Sequence, residues 1–200
     1  MYRFLGSLMR KKLTGIAQVR KKLGELPGNW IVLFVVAPDR YVVFNTEVLR
    51  FLTQELSLAG VYVTVNRPYS TLLPSLQRDG IKTNRLLFID AISKSVGEGK
   101  GRVPNCIFVA GPDNLVDIGI GVTEAIARYK TEDRPFLFLD SLSTLLLHNA
   151  SSAVGKFSHF TITKMRAWNV RGVVMSVEQD VHADVIKTIT QYCDEVFTVE

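Results

Sequence analysis

Cysteine is scarce in this 200-residue chain, with only Cys106 and Cys193. Two thiols at that spacing exclude a disulfide scaffold and a four-cysteine zinc site. Histidine is scarcer still for its uses: His148, His159 and His182 have no metal-like spacing. Neither Ser141 nor Ser176 has an evident His/Asp partner, so a hydrolase triad is unsupported. Long apolar runs are also missing. The longest, residues 30–37 (WIVLFVVA), falls far short of the ~20 residues of a membrane span. Arg10, Lys11 and Lys12 interrupt the only apolar stretch near the start, against a cleavable signal peptide. No internal repeat at a fixed period is visible.

Acid is absent from residues 1–23, which carry seven basic groups between Arg3 and Lys22. The other 177 residues hold 17 basic and 19 acidic groups. The net charge of +5 and the pI of about 9.3 therefore belong to the N-terminal segment, which weakens any case that the remainder binds nucleic acid. Leu5, Leu8, Met9, Leu13, Ile16, Val19 and Leu23 follow helical spacing, so residues 1–26 are expected as a basic amphipathic helix or arm. Five readings stay open for it: packing on its own domain, a subunit contact, an anionic membrane surface, nucleic acid, or disorder. Residues 26–29 (LPGN) read as a linker into a domain over 27–200.

What is present is a core. Hydrophobic residues make up 47% of the chain and charged residues 22%, which excludes a disordered chain. A soluble, cytoplasmic protein is expected, peripheral to a membrane if the basic arm anchors it. Apolar strands are predicted over 30–37, 61–65, 86–89, 106–110, 136–139, 173–177 and 195–199. Helices are predicted from a cap at Asn45 or Thr46 to 59, and over 70–78, 115–129, 152–168 and 183–192. Residues 96–104 read as loop. This alternation predicts a three-layer α/β protein, with a mainly parallel sheet between helices.

Ligands in such sheets bind beyond the carboxyl ends of strands. The polar residues there are Asp39 and Arg40, Asn66 and Arg67, Asp90, Asp140 and Ser141, and Glu178, Gln179 and Asp180. An acid after a buried strand can hold magnesium or orient water; it can also simply cap the next helix.

Phe136-Leu-Phe-Leu-Asp140-Ser141-Leu-Ser143 resembles the Walker B strand of RecA-like ATPases of the KaiC type. Val173-Val-Met-Ser176-Val-Glu178-Gln179 resembles their following strand, with Val177 inserted before the glutamate. Val61-Tyr-Val-Thr-Val65 with Tyr69-Ser-Thr-Leu-Leu, and Leu86–Asp90 with Ala-Ile-Ser93, resemble two further segments, all in consistent order over residues 30–200. The resemblance implies a RecA-like fold, ATP and Mg2+ as the family's ligands, self-assembly or pairing with an active RecA/KaiC-like relative, and an archaeal setting.

Departures from the pattern then set the functional expectation. The phosphate loop G-x-x-x-x-G-K-[ST] is replaced by Ala37-Pro-Asp-Arg-Tyr-Val-Val-Phe-Asn-Thr46, without glycine or lysine. Pro38 removes an N–H and Asp39 repels a triphosphate. Gly97-Glu-Gly-Lys100-Gly101 follows no buried strand and opens no apolar helix, and reads as a surface loop. The family's glutamate pair after the second strand, one member of which activates water, is Asn66-Arg67-Pro68 here, and an amide is no general base. A catalytically degenerate protein acting through protein contacts is expected, with no cofactor. The alternative is an unorthodox nucleotide site. In it Asp39, Arg40, Asn45, Thr46, Asn66 and Asp140 surround the nucleotide, Asp140 and Thr46 hold magnesium, and Glu178 stands as a weak catalytic candidate.

Overall fold

Alternation along buried strands sets the layers. In the computed structural model, strand β2 (Ile31–Val36) is buried along its whole length. Ile31, Leu33 and Val35 join one hydrophobic cluster, and Val32, Phe34 and Val36 the other. A period-2 element buried on both faces must lie between two helical layers. The structure describes residues 11–13, 15–99, 101–130, 133–178 and 183–200.

Around β2 the sheet is built from β1 (Lys11–Leu13), β3 (Gly60–Thr64), β4 (Leu86–Asp90), β5 (Cys106–Phe108), β6 (Phe136–Asp140), β7 (Arg171–Val177) and β8 (Glu195–Val199). The order is β1-β8-β2-β7-β6-β3-β4-β5, and every neighbouring pair is parallel. Helices α1 (Ile16–Gly24), α2 (Tyr41–Arg50) and α3 (Tyr69–Arg78) supply one layer, whose cluster contains Val19, Phe44 and Leu72. Helices α4 (Leu115–Ile126), α6 (Ser151–Ala167) and α7 (Ala183–Thr190), with short α5 (Leu142–His148), supply the other. The three-layer parallel architecture expected from the sequence is present.

The N-terminal segment is corrected in part. Lys11–Leu13 is a strand and not helix, in register with Phe197–Val199 at the sheet edge. The helix begins only at Ile16 and buries Val19 and Leu23 completely or nearly so. Backbone pairing with β8 outweighs the helical spacing of the side chains. Arg20 pairs with Glu55 at 2.6 Å and Lys22 with Glu25 at 3.0 Å, so part of the basic face is answered within the chain. The predicted positions before residue 11 lie outside the described residues. No helix among the described residues is long and apolar enough to cross a membrane.

Helix α2 also differs from expectation. It starts at Tyr41, ahead of Asn45 and Thr46, and passes into a π-helical turn at Phe51–Glu55. The strand expected from residue 61 begins at Gly60. The other expected elements are present, with ends shifted by a few residues; α5 is additional.

Candidate functional site

β6 runs Phe136-Leu-Phe-Leu-Asp140, so alternation puts Asp140 on the same face as Phe136 and Phe138, toward α2. The carboxylate is almost wholly buried, at 2% exposure. A buried charge must be answered by donors, and three side chains do so. Tyr41, the first residue of α2, donates its hydroxyl to Oδ1 at 2.5 Å. The Asn66 Nδ2 donates to the same oxygen at 2.7 Å. Tyr62 donates its hydroxyl to Oδ2 at 2.5 Å.

Each donor is placed by the sheet. Tyr62 lies opposite Phe138 in the β3–β6 ladder, and its ring stacks on Phe138 with centroids 5.0 Å apart. A phenol is long enough to carry its hydroxyl from there to the strand end, where Thr64 pairs with Asp140. Asn66 follows β3, and its Oδ1 accepts a hydrogen bond from the Thr144 hydroxyl on α5. Asn45, one turn after Tyr41, sets its amide 3.2 Å from the Tyr62 oxygen. The single phenolic proton is committed to Asp140, so the amide NH2 belongs at that contact. Ser141 caps α5 through Thr144 N–H at 3.3 Å, and Ser143 accepts from the Val177 N–H at 3.1 Å. The set is a closed polar network at the carboxyl ends of β6, β3 and β7.

Burial pushes the Tyr41 and Tyr62 phenols well above their usual range, and the adjacent Asp140 charge adds to it. Burial raises the thiols of Cys106 and Cys193 and the Tyr129 phenol to about 12. All five groups therefore keep their protons when folded at pH values where the unfolded chain loses them. The unfolded state then binds fewer protons, so stability falls with rising pH. Stability is expected to be level from neutral pH to about pH 8.5, near the unfolded thiol value, and to fall above it as thiols and then phenols titrate. Urea midpoints measured between pH 7 and pH 11 check this, and Tyr62→Phe should make the fall above pH 10 shallower.

The connection from β2 to α2 is only residues 37–40. The Ala37 N–H donates to the Val199 carbonyl at 2.9 Å, and the Arg40 N–H to the Ala37 carbonyl at 3.0 Å. Proline at 38 has no N–H. The turn's amides are thus mostly taken up by the fold, whereas a phosphate cradle needs several directed at the ligand. Past the turn, α2 presents Val42 and Val43, 62% and 58% exposed.

Of the residues singled out in the sequence, Asn45, Asn66 and Asp140 are brought together. Asp39, Arg40 and Glu178 lie exposed outside the network, and Thr46 Oγ1 donates to the Val42 carbonyl of its own helix at 3.0 Å. The sequence reading passed over Tyr41 and Tyr62. Tyr62 had a signal: a phenol in a fully buried strand needs a polar partner. Tyr41 had none, because its value depends on where β6 ends.

The sequence matches one family over residues 33–199, described as a family of unknown function, DUF7504. The chain belongs to the DUF7504 family. No curated protein matches it. Among solved structures, it is similar to a KaiC-like protein of the hyperthermophilic archaeon Pyrococcus horikoshii, with a TM-score of 0.59 and 13% identity, covering 88% of this chain and 73% of that one. It is also similar to an uncharacterized Pyrococcus horikoshii protein in complex with an unknown peptide, with a TM-score of 0.67 and 14% identity, covering 92% and 82%. At these identities the likeness is one of fold. It places this DUF7504 chain in the KaiC-like, RecA-type architecture.

Proposed function

We propose that this chain is a RecA/KaiC-fold protein that does not hydrolyse nucleotide and acts as a regulatory or scaffolding subunit through protein contacts. One observation carries the reading: the Asp140 carboxylate, at the Walker B position of the family resemblance, is engaged by Tyr41, Tyr62 and Asn66. A magnesium-holding carboxylate needs lone pairs open to the cation or its waters. Here Oδ1 accepts two hydrogen bonds, from the half-buried Tyr41 and the exposed Asn66, and Oδ2 accepts one from the buried Tyr62.

The remaining residues fit a magnesium–nucleotide complex no better. Thr46 is turned to its own helix. The β2–α2 turn has no glycine and no lysine. No group of three or more metal-ligating side chains exists among the described residues. The position expected for a water-activating glutamate holds Asn66, whose amide serves Asp140 and Thr144. The peptide bound to one Pyrococcus horikoshii neighbour is in keeping with protein contacts as the mode of action.

Phosphate release from ATP and magnesium tests the reading. The purified chain is expected to match buffer alone, and Asp140→Ala to match the unaltered chain. Turnover abolished by Asp140→Ala would sink it.

A further inference from the structure

Two arginines stand without an acid at the amino-terminal ends of the strands. Arg171 opens β7 and pairs with Phe136, which opens β6. Arg134 lies two residues ahead of Phe136. Gly172 faces Met165 of α6 and Ile31, so alternation turns Arg171 to the opposite face, which carries Phe136 and Trp30. A Cβ at Gly28, in the turn before β2, would lie 4.0 Å from the Arg171 Nη2.

Arg171 is half-buried, and its Nε is buried with no hydrogen-bond partner among the described residues. A buried N–H left unpaired is uncommon and costly, more so on a charged group. Two acids of this edge are committed elsewhere. Asp133, next to Arg134 in sequence, lies 3.8 Å from Arg85. Asp194 is held by both terminal nitrogens of Arg166, at 2.8 and 2.9 Å. No acid among the described residues pairs with Arg134 or Arg171. The charge that acts on Arg171 is a like one: burial first, and then the Arg134 guanidinium, hold it below its ordinary pKa.

Arg134 is itself unusual. It is exposed, and its φ is +40°, a left-handed backbone uncommon for any residue but glycine. Such conformations gather at binding and switch regions. Two like charges and a buried donor call for one group with negative charge and several acceptor oxygens. A carboxylate carries one charge, which a single guanidinium answers with two hydrogen bonds. A phosphate group carries close to two charges and offers three strong acceptors.

We propose that Arg134 and Arg171 bind a phosphate group at the amino-terminal edge of the sheet, Arg171 from the half-buried side through Nε and Arg134 from the exposed side. Asp140 lies at the opposite edge, so this site does not depend on the reading given for that carboxylate.

Isothermal titration of the purified full chain with inorganic phosphate, at constant ionic strength, tests it. Saturable binding at millimolar concentration or below is expected. Arg134→Asn places there a residue that tolerates the left-handed backbone. It should leave the far-ultraviolet circular dichroism unchanged and weaken binding by at least roughly tenfold. Arg171→Lys, which keeps the charge and loses the Nε donor, should weaken it by a similar factor. Acetate should not compete. Phenyl phosphate that displaces inorganic phosphate assigns the site to an esterified phosphate, and failure to displace it assigns the site to the free anion. Absence of saturable binding overturns the proposal and leaves Nε to water. Binding indifferent to both arginine variants overturns it too, as does acetate competing as well as phosphate. Binding lost in Arg40→Gln and kept in Arg134→Asn also overturns it. That result places phosphate at the β2–α2 turn and counts against the proposed function, so the two failures are distinguishable.

Discussion

Replacing Asp140 by alanine is expected to lower stability by about 3 kcal/mol, read as a fall in the urea midpoint with an unchanged slope. The substitution removes the acceptor of two phenols and an amide. Tyr62 is fully buried, so its hydroxyl cannot turn to water. A buried donor left without its partner costs about 1–3 kcal/mol, and hydrogen bonds to a charged acceptor lie toward the upper part of the range. Against this, burying the carboxylate itself costs free energy that alanine does not incur, which keeps the net near 3 and not near 6. Asp140→Asn should fall between, since one oxygen still accepts but an NH2 faces a phenolic donor. A carboxylate kept open for a cation has few protein donors to lose, so its removal would leave stability nearly unchanged. The sign and size of this one shift therefore separate a structural role from a ligand role.

Gly60→Ala is expected to cost about 2–3 kcal/mol, although it adds a single methyl. An added Cβ would lie 2.5 Å from Phe136 Cε1 and Cζ and 2.6 Å from Cδ1. The Phe136 ring is fully buried and rigid, so it cannot swing aside as a flexible side chain does. It pairs directly with Gly60 across the β3–β6 ladder, and the strain is therefore set at the base of the strand that ends in Asp140. Phe136→Leu alone should be destabilising by creating space. Combined with Gly60→Ala, it should cost less than the sum of the two single changes, because the space left by one relieves the crowding of the other. Thermal or urea unfolding of the four proteins checks this cycle.

Much of the fold was legible because burial on both faces writes itself as continuous apolar runs. β2, β6 and β7 were read nearly to their ends, and the Asp140 position with them. The starts of α1 and α2 were not legible, for one reason: local pattern competed with distant partners. Lys11–Leu13 sits in helical spacing, but its hydrogen-bonding partner is β8, more than 180 residues away. Asn45 and Thr46 look like caps, yet α2 begins at Tyr41, whose hydroxyl is tied to Asp140. At the site, the acid and the two asparagines were visible as polar residues near element ends. The tyrosines were not, since Tyr62 reads as one more apolar residue of VYVTV. Only the β3–β6 register shows that its ring reaches the carboxylate.

In the proposed function, Asp140 serves hydroxyls and an amide of its own chain and not a nucleotide-bound cation. Titration of the purified full chain with a fluorescent ATP analogue, with and without magnesium, tests it most directly. The prediction is no saturable binding up to millimolar nucleotide and no difference on adding magnesium. Micromolar, magnesium-dependent binding that disappears in Asp140→Ala, with the variant still folded, would contradict it.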